Sequence, residues 1–128
     1  VCSSDLYYID TYYAKKLDVN PTTGSTSNMI LEPGGKSLDQ MIASLDRGIL
    51  VTGFNGGNSN GSTGDFSFGI DGFLIEKGAI VQPVSEMNIT GNMLQLWANF
   101  AEACNDFRED SSWRIPSLLF NDVDFSGI

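Results

Sequence analysis

The stretch from Gly64 to Asn92, GDFSFGIDGFLIEKGAIVQPVSEMNITGN, limits the possible folds more than any other part of the chain. Phe66, Phe68 and Ile70 alternate with Ser67, Gly69 and Asp71, the period-two pattern of a strand with one buried face. The apolar parity then shifts before Phe73, Leu74 and Ile75, which predicts a bulge or bend at Asp71-Gly72, where glycine removes the steric penalty. Lys77-Gly78 fits a two-residue hairpin turn, because glycine tolerates the positive φ that such turns need. That turn sets Ile75 against Ile80 and Leu74 against Val81. Pro83 has no N–H for a ladder, so the return strand is expected to lie at an edge there or to bulge.

Around this hairpin the other segments follow from local pattern. Leu6 to Leu17 is rich in Tyr, Ile and Thr and reads as a strand; its aromatics fit packing inside a sheet better than a ligand-stacking platform. Residues 18–27 form a loop by composition, and Asn28 to Leu31 a short strand stopped by Pro33-Gly34-Gly35. Ser37 and Gln40 have capping-box spacing, and Leu38, Met41, Ile42 and Leu45 then follow one helical stripe, which predicts a helix over 38–47 with its exit at Gly48. Ile49 to Thr52 has the character of a buried strand. Phe54 to Gly64 reads as a flexible connection or a set of tight turns, since it holds neither GxxxxGK(S/T) nor GxGxxG. Thr90 or Asn92 caps a helix over about 92–105 with the stripe Met93, Trp97, Phe100 and Cys104. Ile115 to Phe120 and Val123 to Phe125 supply terminal strands, the first beginning at an edge because of Pro116. The expected architecture is a single α+β domain over 1–128, mainly antiparallel, with two flanking helices.

Histidine is absent, which excludes Ser-His-Asp and Cys-His catalysis and an HExxH zinc site within these residues. Ser67 lies in GDFSFG, not in a GxSxG elbow. Asp65 is expected to pin the start of its strand by accepting hydrogen bonds from nearby backbone N–H groups, rather than to act as a catalytic carboxylate. Asp106, Glu109 and Asp110 cluster after a helix, and Asp122 and Asp124 share a strand face, but neither group has calcium-loop spacing. Glycoside hydrolysis by paired acids is a weaker reading of these carboxylates. Cys2 and Cys104 form no CxxC pair and no disulfide framework, and Cys104 is expected to be a buried, inert thiol. The sequons at Asn60 and Asn88 are short enough to arise by chance. Seven basic and 16 acidic residues leave a net charge of −9, which repels a phosphate backbone, so direct nucleic-acid binding is not expected. No apolar run reaches the ~20 residues a membrane helix requires, and the first residues given show no charged n-region followed by an apolar h-region, so no secretory signal is expected from them.

Several of these segments, in order, carry a resemblance. YYIDTYYAKKL, GILVTGFNGG, TGDFSFGIDGFLIEKG, PVSEMNITGN and IPSLLFNDVDFSG resemble the carboxy-terminal part of the PmbA/TldD family, whose members also carry the label modulator of DNA gyrase. The chain starts at Val1, and the resemblance implies the carboxy-terminal piece of a longer protein. Gly64, Asp65, Ser67, Gly91 and Asn92 match the family's motifs and are assigned to structure. The TldD branch is similar to zinc metallopeptidases that use an upstream HExxxH helix and a late cysteine. Between Asp106 and Pro116 this chain has no cysteine, and Cys104 does not occupy that ligand position. GFLIEKG, PVSEMNITGN and PSLLF are closer to the PmbA branch, also called TldE, the noncatalytic partner. The resemblance therefore implies no catalytic, cofactor-binding or metal-binding residue in this chain. It implies zinc only in the partner subunit or parent complex, a TldD-like partner and a flexible peptide substrate, while the acidic charge balance is what a cytoplasmic protein is expected to carry. A homodimer of the fragment, an active metallopeptidase with its ligands upstream, and a stand-alone peptide- or carbohydrate-binding module remain as alternatives.

Overall fold

The computed structural model describes residues 7–25 and 28–127; Cys2 and the start of the Leu6–Leu17 stretch lie outside them. In chain order the elements are α1 (Thr11–Leu17), β1 (Met29–Ile30), α2 (Leu38–Ala43), β2 (Arg47–Ser59), β3 (Asp65–Glu76) and β4 (Ala79–Asn92). There follow α3 (Met93–Ala98), β5 (Phe100–Ala103), β6 (Trp113–Arg114), β7 (Leu118–Phe120) and β8 (Asp124–Ser126). The fold is α+β with mainly antiparallel pairing, and among the described residues three short helices stand where two were expected. No helix among the described residues is long and apolar enough to cross a membrane. Contacts divide the chain into two compact units, residues 1–31 with 108–115, and residues 32–107 with 116–128.

In the first unit, the Tyr-rich stretch is a helix and not a strand. Asp10 caps it, its carboxylate accepting the Tyr13 N–H at 2.8 Å, and Lys15 and Lys16 lie in the last turn, where cations suit the helix dipole. Composition favoured a pleated strand, but a local cap needs no partner strand, and among the described residues none pairs with the segment. Tyr12 and Tyr13 meet edge to face at 5.2 Å, while Tyr7, Tyr8, Tyr12 and Tyr13 are all exposed. β1 pairs in parallel with β6, Met29 opposite Trp113.

The second unit is built on a four-stranded sheet ordered β2-β3-β4-β8. Lys77 and Gly78 form the hairpin turn with φ of 51° and 76°, as their types require. Ile75 opposes Ile80 as expected, but an extra residue at Val81 sets Leu74 against Gln82. The irregularity expected at Asp71-Gly72 lies on the neighbouring strands. β3 keeps its parity through Phe66, Ile70 and Leu74, while Thr52 is inserted on β2, and on β4 the two residues Ser85 and Glu86 stand against the single Asp71. Glu86, at φ 59°, turns the chain so that Val84 and Met87 reach one core although their parities differ. That core comprises Phe66, Ile70, Leu74, Val84, Met87 and Ile89, with Ile70 fully buried. At Pro83, β4 has β3 on one side and, among the described residues, no strand on the other, since β8 pairs only with Asn88–Thr90.

Three expected boundaries are corrected. The capping box of Ser37 and Gln40 starts α2, but the helix stops at Ala43 rather than 47, because Ser44 caps it and Leu45 and Asp46 accept the N–H groups of Gly78 and Lys77. Gly48 consequently lies in β2. The Gly-rich stretch is strand up to Ser59, its bulge absorbed by Gly56 and Gly57 at φ 81° and 132°. The predicted 92–105 helix ends at Ala98, after which Phe100–Ala103 pairs with Leu118–Phe120. Asp122 sits outside β8 at φ 50°, so it does not share a strand face with Asp124.

Candidate functional site

The five motif residues gather at two neighbouring places on β3 and β4. The β2–β3 connection is a tight turn in which the Asn60 N–H donates to Asp65 O and the Gly64 N–H donates to Asn60 O, both at 2.8 Å. Gly64 takes φ 82°, which a side chain would strain, and its carbonyl accepts the Met93 N–H at 2.8 Å. Asp65 accepts from Thr63 Oγ1 at 2.7 Å and from Asn92 Nδ2 at 2.9 Å. Its partners are thus side chains, not the backbone N–H groups that the sequence led us to expect. Asn92 also donates to Thr63 O at 2.9 Å and caps α3 by accepting the Leu94 N–H at 3.0 Å. One amide therefore ties the β2–β3 turn to the start of α3. Of the two cap candidates, Asn92 serves and Thr90 stays in β4.

Hydrogen bonds from Asn92 and then Thr63 hold the Asp65 carboxyl below its ordinary pKa, against a small opposing effect of burial. A carboxylate kept ionised and saturated by donors is a poor general acid. Ser67 is exposed in mid-sheet between Asn58 and Thr90. Gly91 lies under the Phe66 ring, where a Cβ would come within 3.1 Å of it. An open cleft of about 370 Å³ lies between the Ser59–Gly64 turn and Met93 and Leu94. Its lining offers hydroxyls, amides and thioether but no ionisable group.

Cys104 is fully buried, with its Sγ 3.5 Å from Met41 Sδ. It stands just after β5, not on a helix, and its N–H donates to Ser117 O at 2.8 Å. Burial first, then the charges of Asp106 and Glu102, push the thiol pKa up, with Lys36 opposing weakly. Partial burial pushes the Asp106 carboxyl up, but hydrogen bonds from Ser117 to its two oxygens, at 2.8 and 2.7 Å, outweigh it and leave the pKa lowered. Glu102 pairs with Lys36 at 2.7 Å. Glu109 and Asp110 are exposed. Among the described residues, no three of His, Cys, Asp and Glu converge as metal ligands. Among the described residues zinc would find no imidazole, a buried thiol whose pKa is raised, and Asp106 and Glu102 carboxylates already engaged by Ser117 and Lys36, a poor fit to its usual donor set.

Α half-exposed aromatic group was not foreseen. Trp97, Phe100 and Phe120 meet with ring centroids 5.4 to 6.0 Å apart. Trp97 and Phe100 were placed on one long helical stripe, and only the pairing of Phe100 with Phe120 brings the third ring to them.

Comparison with known proteins agrees with this geometry. Residues 5–127 match the family described as the PmbA/TldA metallopeptidase C-terminal domain. The chain is 32% identical over 123 residues to Metalloprotease PmbA of Escherichia coli O157:H7, covering 94% of this chain and 27% of that protein. A Metalloprotease TldD homolog of Buchnera aphidicola is 29% identical over 66% of this chain and 18% of its own length. Among solved structures, a Bacteroides thetaiotaomicron protein labelled a modulator of DNA gyrase superposes with a TM-score of 0.90 at 61% identity, over 95% of this chain and 28% of that one. TldE from Thermococcus kodakarensis superposes with a TM-score of 0.79 at 26% identity, over 92% and 30%. The chain thus spans between a quarter and a third of the length of PmbA and of these two structures. It belongs to the PmbA/TldD metallopeptidase family and corresponds to that family's C-terminal domain.

Proposed function

We propose that this chain is the carboxy-terminal domain of a noncatalytic, PmbA/TldE-type subunit that works with a TldD-like zinc metallopeptidase on flexible peptides in the cytoplasm. The observation that carries the reading is the state of Cys104, the cysteine among the described residues: a fully buried thiol packed on Met41, with its pKa raised. A cysteine binds zinc as a thiolate with access to the ion, and a catalytic site normally keeps three protein ligands. The sequence has no histidine, and no three potential ligands converge among the described residues. In this reading Gly64, Asp65, Ser67, Gly91 and Asn92 maintain the hairpin and its junction with α3. Zinc then belongs to the partner, and neither nucleic acid nor membrane is contacted directly. Peptide is taken by backbone pairing along an exposed sheet edge, of which β4 around Pro83 is one.

The second reading is an active metallopeptidase whose ligands lie in other parts of a longer chain, and the name metalloprotease borne by the relatives favours it. Co-expression of the complete protein with a TldD-like subunit, followed by zinc and peptidase assays on the complex and on each subunit, separates the two. The expected result is zinc and turnover in the complex and in the TldD-like subunit's metal site, with none in this subunit alone. Stoichiometric zinc and peptide turnover by this subunit alone would overturn the proposal.

A further inference from the structure

Two Asn-Gly pairs occur in the chain, Asn55-Gly56 and Asn60-Gly61. An asparagine before glycine is open to attack on its own side chain by the next backbone nitrogen, because glycine has no Cβ to obstruct the approach. The fold gives the two pairs different surroundings. Asn55 lies within β2, between the Phe54–Ile70 and Gly57–Phe68 pairings. Its Nδ2 donates to Asp71 Oδ2 at 2.7 Å, and its side chain lies over Gly69. The Asp71 carboxylate also opposes any negative charge forming at the Asn55 amide.

Asn60 lies in the turn between Ser59, which ends β2, and Asp65, which starts β3. Its Oδ1 accepts N–H groups from Ser62 at 2.9 Å and Thr63 at 3.3 Å. These dipoles point at the oxygen on which charge gathers when Cγ is attacked. The Gly61 N–H has no acceptor among the described residues, and a Cβ built on Gly61 would meet nothing within 4 Å. The nucleophile is therefore unencumbered and its peptide unit has room to turn.

We propose that Asn60-Gly61 is a site of spontaneous deamidation, favoured over Asn55-Gly56 by the fold. Hydroxide removes the Gly61 amide proton, and the nitrogen bonds to Asn60 Cγ. The C–N bond to the side-chain amide breaks, and ammonia leaves with the proton returned by water. Water then opens the cyclic imide at either carbonyl, leaving aspartate or isoaspartate at position 60. No oxidant or reductant is needed. In the isoaspartate product the chain runs through Cγ, so the carbonyl that now accepts the Gly64 N–H becomes a pendant carboxylate. The turn that carries Thr63 and Asp65 loses that link and gains a negative charge.

The test is incubation of the whole chain in mildly alkaline buffer, with fragment-ion mass spectrometry to locate the added mass and an isoaspartate assay to identify the product. Position 60 should convert several times faster than position 55 in the folded protein, and the two should approach equal rates in urea. Gly61→Ala should slow conversion at position 60 several-fold and leave position 55 unchanged. Equal rates in the folded protein, faster loss at position 55, or the same preference in urea would each overturn the proposal.

Discussion

Asn92 does more with one side chain than any other residue of the sheet junction. Its amide donates to Asp65 and to the Thr63 carbonyl, and its oxygen caps α3. Asn92→Ala should lower stability by about 1–2 kcal/mol, the range for a lost cap with a carbonyl left without its donor, and the urea midpoint measures it. The same scale governs pH dependence. Asp65 and Asp106 are both held below the ordinary value of 3.8 in the fold, and both return to it on unfolding. The folded state then binds fewer protons in that range, so their stabilisation is complete above 3.8 and is lost as pH falls through the lowered folded values. Urea midpoints measured down through this range should fall, and Asp106→Asn should make the fall shallower. Asn92 as a cap could be read from its type and its place before an apolar stripe. That Asp65 takes side-chain donors could not, because Thr63 and Asn92 are brought together only by the pairing of β3 with β4.

At the scale of elements, the hairpin was readable because its causes are local: period-two burial and a Lys-Gly turn. Gly78 makes the point testable. It takes φ 76°, and a Cβ there would come within 2.7 Å of the Ala43 carbonyl oxygen. Gly78→Ala should cost about 1–2 kcal/mol from the backbone conformation, with the clash adding to it, and should appear as a lowered thermal midpoint. The helix ends were misread for the opposite reason. Met93, Trp97, Phe100 and Cys104 keep helical spacing, yet Phe100 to Ala103 gain backbone partners in β7 that no helical periodicity announces. The Gly-rich run was misread because glycine removes the side-chain pattern by which strands are recognised, while β3 still supplies a ladder for it.

On the scale of the molecule, one apolar layer holds the four-stranded sheet, and Ile70 stands at its centre without exposure. Ile70→Ala should lower stability by about 2–5 kcal/mol, measured by urea unfolding, because the packed neighbours can only partly fill the space. By itself the sequence determined the α+β class, the central hairpin and its turn, the capping box of α2, and the absence of histidine. Those are properties of residue type and of neighbours along the chain. Tertiary structure alone decided where α2 and α3 stop, which strands absorb the extra residues opposite Asp71, and that Cys104 is sealed against Met41. Each of these depends on a partner far off in sequence, whose hydrogen bonds and contact surface exist only once the chain has folded.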